Sequence, residues 1–174
     1  MEDELTLLRN IAEKRNNPSK WTNSTFEIIK QMTTSDKGEI GEEFIYVMCV
    51  SLVDKGAKRN PHSRDAYDIK VLGKTIEVKT ATEDTHNKFQ FNGIRYQRIY
   101  DFLLVLGIAP NNVYFNIYTS ADVKTQKIGV LVPMEKGTVG SHKLTRGIPQ
   151  LFDIPQFKQV ITKVLQDRQG NNNE

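Results

Sequence analysis

The run Asp101–Ala109, DFLLVLGIA, constrains this chain more than any other stretch. It is continuously apolar, strand-sized and bounded by turn-forming residues. Such a run reads as a strand buried on both faces, so the fold must supply a packing layer on each side of a sheet. The stretch that follows the PNN turn, NNVYFNIYT, alternates apolar and polar residues and is its expected antiparallel neighbour.

Upstream, Tyr67–Thr80 (YDIKVLGKTIEVKT) predicts two strands, Asp68–Leu72 and Lys74–Ala81, folded back on each other at Gly73. A strand sends alternate side chains to opposite faces. Ile76 and Val78 therefore share one face, and Glu77 and Lys79 share the other. The neighbouring strand can bring Asp68 beside them. Two carboxylates and a lysine on adjacent strands could hold Mg²⁺ next to a base or water-orienting group, the equipment for phosphodiester hydrolysis.

Helical patterns surround this unit. Asp3–Arg15 carries Leu5, Leu8, Ile11 and Ala12 at helical spacing. Asn23 or Ser24 can cap a short helix running to Met32. Ser35 or Asp36 can cap a longer one, with Ile40, Phe44, Val47, Met48 and Leu52 as its apolar stripe. Trp21 reads as a core anchor between the first helices. SADVKTQKI suits a short helix, and Phe157–Leu165 is a closing helix with Phe157, Val160, Ile161 and Val164 on one face. FQFNGIRYQR fits either strand or loop. VLVPMEKGTVGSHKLTRGIP reads as loop, with SHKLTRG either a DNA-clamping loop or plain surface. The expected product is one domain over residues 1–168, with 169–174 as a frayed tail. Its fold class is α/β: a mixed sheet of four to five strands flanked by helices.

The chain of 174 residues has a formal net charge of +3. That is only mildly basic, so the placement of charge is more informative than its sum. Lys55, Lys58, Arg59, Arg64, Lys88, Arg95 and Arg98 all flank the acidic hairpin, which suits a phosphate-facing role. Cys49 is the only cysteine, which excludes an internal disulfide and a cysteine-based zinc site. No two histidines have zinc spacing. His62, His86 and His142 read as surface residues. The N-terminus is acidic and amphipathic, unlike a secretory signal, and no apolar run is long enough for a bilayer. These features suit the cytoplasm.

Tyr67-Asp68, an eight-residue gap, and Glu77-Val78-Lys79 resemble the PD-(D/E)XK nuclease superfamily, the restriction-endonuclease-like fold. GEIGEEF before them is similar to that family's acidic helix. The apolar strand and its antiparallel partner follow the family's core order, so the likeness covers roughly residues 36–119. Tyr67 stands where the family usually has proline. The resemblance implies a Mg²⁺-dependent endonuclease, with Mn²⁺ substituting. Asp68 and Glu77 would bind metal, and Lys79 would orient the attacking water or act as its base. Glu42 would complete the metal shell, with Glu39 and Glu43 as alternatives. FQFN, IR and the YDFLLVLGI strand look most like small type II restriction enzymes. That likeness implies a homodimer cutting double-stranded DNA at a short site, with the first or closing helix making the dimer contact. A structure-specific nuclease (a Holliday junction resolvase, a repair or phage nuclease, or a homing-type nickase) is the alternative. A non-catalytic DNA-binding domain is a further one. Asn and Gln can read adenine, and Arg can read guanine. Gln90, Asn92, Arg95 and Arg98, with Lys88 and Arg64, form the expected DNA-facing set.

Overall fold

The computed structural model describes residues 3–15, 19–61, 66–134 and 140–166. Its helices are α1 (Glu4–Arg15), α2 (Glu27–Gln31), α3 (Thr34–Leu52), α4 (Ser120–Lys124) and α5 (Phe157–Gln166). Its strands are β1 (Lys58–Arg59), β2 (Ile69–Val71), β3 (Lys74–Thr82), β4 (Lys88–Ile94), β5 (Phe102–Ile108), β6 (Val113–Thr119), β7 (Val132–Pro133), β8 (His142–Gly147) and β9 (Phe152–Asp153). A six-stranded mixed sheet runs in the order β1-β2-β3-β5-β6-β9, and a three-stranded sheet in the order β4-β8-β7. The class is α/β, as expected. The two-residue edge strands β1 and β9 extend the expected sheet to six.

β5 is the axis of the molecule. It pairs parallel with β3 and antiparallel with β6, and every residue in it is buried. Leu104, Leu106 and Ile108 enter a core shared with Ile45 and Cys49 of α3 and Phe157, Ile161 and Leu165 of α5. Leu103 and Val105 enter a second core with Phe89, Phe91, Ile94 and Leu144 of the smaller sheet and Val123 of α4. One face of the sheet is thus covered mainly by helices. The other is covered by the smaller sheet and one short helix. Trp21 is buried in the helix-side core, as its position in the sequence suggests.

The hairpin forms with Ile69 opposite Ile76 and Val71 opposite Lys74. Leu72 and Gly73 both adopt positive φ, at 48° and 77°, the backbone of a tight two-residue turn. Leu72 is an awkward residue there. The Asp54 carboxylate, just beyond α3, accepts its N–H at 2.9 Å and ties the turn to the helix.

Three expectations are corrected. The cap of α3 is Thr33, whose Oγ1 accepts from Asp36 N at 3.1 Å; Asp36 is its capping partner, and Ser35 lies in the first turn. Of the expected α3 stripe, Phe44 and Met48 pack half-buried against the core, but the fully buried positions are Gly41, Ile45 and Cys49, and Val47 and Leu52 are exposed. Gly41, lacking a side chain, lies directly against Thr80 of β3. Finally, SHKLTRG is no loop but contributes β8, which pairs antiparallel with β4. Leu144 is its only buried apolar residue, so periodicity could not reveal it. The ambiguous FQFNGI stretch is strand β4.

α1 forms as expected, yet none of its residues is buried and Leu5 is 79% exposed. Among the described residues no helix is long and apolar enough to cross a membrane.

Candidate active site

β3 carries the centre of the site. Ile76 and Val78 face the helix-side core. Glu77 and Lys79 face the other way, and Lys79 Nζ lies 2.5 Å from Glu77 Oε1. Glu77 is almost fully buried. Gly93 of β4 lies over Lys79: a Cβ added there would stand 4.0 Å from Lys79 Cε. Gly93 has φ of 78°, at an irregularity in the β4–β8 pairing. A side-chain-bearing residue would be strained there by the backbone, while its Cβ would sit in ordinary contact with the lysine.

Asp68 immediately precedes β2. Its N–H donates to Ile76 O at 2.9 Å, and its carbonyl accepts from Asn60 N at 2.8 Å. Its carboxylate Oδ2 accepts from Val78 N at 2.7 Å, on the backbone between Glu77 and Lys79. The hairpin therefore brings Asp68 beside the Glu77–Lys79 pair, as the register demands.

Glu42 arrives from α3. Gly41 sets its height above the sheet, because a Cβ there would stand 1.8 Å from Thr80 Oγ1. Arg59 Nη2 lies 3.6 Å from Glu42 Oε2. Glu42, Glu39, Arg59, Asn60 and Asp68 border a cavity of about 700 Å³ alongside the first turn of α3. Glu43 is exposed and does not border it.

Burial, then the Asp68 charge, pushes the Glu42 carboxyl above its ordinary range, while Arg59 and Lys79 oppose the shift. Burial pushes Glu77 the same way, with Asp68 adding to it and Lys79 and Arg98 opposing. Carboxylates raised in this way bind protons in the folded state that the unfolded chain has already lost. Stability should therefore fall as pH rises from about 4.5, the ordinary glutamate value, through the folded values. Melting temperature measured across that range should decline, and Glu42→Gln should remove part of the decline. An unchanged slope in that variant would refute the assignment.

Among the described residues, no three His, Cys, Asp or Glu side chains converge as a group ready to hold a metal ion. The expected ligands are engaged separately: Asp68 with Val78 N, Glu77 with Lys79, and Glu42 with Arg59. The donor set nonetheless fits a hard divalent cation. It is all carboxylate oxygen, and the burial and the neighbouring Asp68 charge that raise Glu42 and Glu77 are what a bound cation offsets.

The expected DNA-facing residues divide. Lys88, Gln90 and Asn92 lie on the exposed side of β4, opposite the buried Phe89 and Phe91. Gln90 and Asn92 line a cavity of about 200 Å³ with Lys37, Thr80 and Thr82, and Thr34 lines both this cavity and the larger one. Arg95 and Arg98 lie in the turn after β4, closed by an Arg98 N to Arg95 O bond of 3.1 Å. Arg98 acts on the Glu77 charge. Arg64 and His62 lie outside the described residues.

No family model and no curated protein matches this chain. Among solved structures it is similar to a bacterial homing endonuclease, I-Ssp6803I, with a TM-score of 0.46 and 14% identity over 78% of this chain and 99% of that one. At that distance the site stands on the residues of this chain alone.

Two further residues join the site: Arg59, which the sequence offers only as one of the basic residues flanking the hairpin, and Tyr100. Arg59 faces Glu42 only because the edge strand β1 folds beside β2, a pairing two residues long. Tyr100 is buried, and its hydroxyl has no hydrogen-bond partner among the described residues. Burial, then the Glu77 charge, pushes its phenol up to about 12. Tyr96 packs against His142, with ring centroids 4.8 Å apart.

Proposed function

We propose that this chain is a Mg²⁺-dependent endonuclease hydrolysing phosphodiester bonds in double-stranded DNA. We place it with the PD-(D/E)XK enzymes of type II restriction, cutting at a short specific site. The observation carrying this reading is the placement of Asp68 Oδ2 on Val78 N, midway along the Glu77–Lys79 face of β3. That arrangement puts two carboxylates and an ammonium beside one short length of backbone, with a third carboxylate, Glu42, approaching from α3.

Asp68 and Glu42 would hold the cation at the cavity wall, and Glu77 would join them by exchanging its contact with Lys79. Bound there, Mg²⁺ or Mn²⁺ would lower the pKa of a coordinated water and neutralise charge on the scissile phosphate. Lys79, released from Glu77, would orient the attacking water and stabilise the developing negative charge. Arg98 would balance Glu77. Lys88, Gln90 and Asn92 would face the duplex, with the two amides able to read base edges. A dimer would present two such sites to the two strands. The exposed leucines of α1 suit that contact better than α5, whose apolar face is consumed by the core.

The deciding experiment incubates the protein with plasmid and unmethylated phage DNA, in Mg²⁺ and in EDTA. Discrete bands that require Mg²⁺ are expected. Intact duplex alongside cleavage of a four-way junction would move the reading to a structure-specific nuclease. DNA binding indifferent to Mg²⁺, with no cleavage of any substrate, would sink the catalytic reading.

A further inference from the structure

We propose that Arg59 serves the same site in two ways: it is the built-in counter-ion of Glu42, and it is the residue that grips the substrate phosphate when a divalent cation takes that carboxylate. The proposal rests on the reading of the site as a cation-dependent nuclease.

Arg59 ends strand β1, and its neighbour is fastened to the catalytic hairpin. Asn60 N donates to Asp68 O at 2.8 Å, and Asn60 Nδ2 donates to Tyr67 O at 3.0 Å. The backbone at Arg59 is thus held in register with Asp68. Its side chain borders the same cavity as Asp68 and Glu42.

The Arg59–Glu42 contact is built to be exchanged. At 3.6 Å it is longer than a charge-assisted hydrogen bond of good geometry. The two side chains are 37% and 30% exposed, so water already screens the pair. Losing it costs little. A cation drawn to Asp68 and Glu42 competes for the carboxylate that Arg59 faces. Among the described residues, that one contact to a carboxylate leaves most of the guanidinium fork unused. That fork has five N–H donors in a geometry that matches phosphate oxygens. A cation at Glu42 and a phosphate at Arg59 therefore favour each other: the first releases the guanidinium, and the second keeps it from returning.

The test separates two quantities that a structural role would move together. Mn²⁺ binding to the DNA-free protein is measured by calorimetry, and duplex cleavage is measured in parallel, for wild type, Arg59→Ala and Arg59→Lys. Arg59→Ala should bind Mn²⁺ about two- to fivefold more tightly, because a screened competitor is gone. It should cut about a hundredfold more slowly, with a raised KM. Arg59→Lys keeps the charge without the fork and should fall between the two. In a Glu42→Gln background, Arg59→Ala should leave Mn²⁺ affinity unchanged. Unchanged or weakened Mn²⁺ binding in a folded Arg59→Ala protein overturns the proposal while leaving the nuclease reading intact. A wild type that neither binds Mn²⁺ nor cleaves overturns both.

Discussion

Lys79→Ala should reduce Mg²⁺-dependent cleavage by about a thousandfold while duplex binding persists. The expected size follows from position. Lys79 Nζ lies 2.5 Å from Glu77 Oε1, on the strand whose backbone also holds the Asp68 carboxylate. Removing the ammonium removes the group nearest the attacking water. It also leaves Glu77, already pushed up by burial, without its principal compensating charge. Glu77 should then protonate more readily and become a poorer ligand, so the cleavage optimum of the variant should move to higher pH. Folding should survive, because a carboxyl can escape a buried unpaired charge by taking up a proton. Single-turnover cleavage across pH, with a gel-shift assay in Ca²⁺, checks both halves. A wild-type rate in a folded Lys79→Ala protein would falsify the assignment.

The second large effect is on stability. Gly41→Ala places a Cβ 1.8 Å from Thr80 Oγ1 and 2.9 Å from Thr80 Cβ. Rotating the threonine can move Oγ1 aside, but it cannot move Cβ. The helix must lift from β3. Overpacking of this kind costs about 1–3 kcal/mol. The gain in helix propensity from replacing glycine offsets up to about 1 kcal/mol. We therefore expect Gly41→Ala to lose about 1–2 kcal/mol and Gly41→Val about 3 kcal/mol. Denaturant midpoints measure this directly. Thr80→Ala should restore only part of the loss in Gly41→Ala, because it removes Oγ1 and Cγ2 from the contact but leaves Cβ at 2.9 Å. The same lift draws Glu42 away from Asp68, so cleavage should weaken beyond what the fraction folded explains. Equal stability of Gly41→Ala and wild type would show that α3 does not rest on β3 at this point.

These two sites also show what could be read without coordinates. The alternation in TIEVKTAT put Glu77 and Lys79 on one face of a strand. The Leu72-Gly73 turn and the register it imposes put Asp68 across from them. These are local relations, settled by the period of two and by a two-residue turn. The apolar run of β5 likewise required a layer on each face. Nothing local distinguished Gly41 from the other glycines, because its role is a contact with Thr80, 39 positions later, across two packed elements.

The sequence by itself determined the β2–β3 hairpin, the shared face of Glu77 and Lys79, the doubly buried β5 and the apolar face of α5. Each follows from side chains a few residues apart, where backbone geometry leaves one outcome. Only the tertiary structure decided that β8 pairs with β4, that Gly93 lies over Lys79, and that α3 turns Glu42 toward Arg59. Those contacts join segments far apart in the chain, and they are chosen by how two cores fill on either side of one sheet. A short polar strand with a single buried leucine, or a glycine whose value is the atom it lacks, leaves no periodic trace for such packing to be read from.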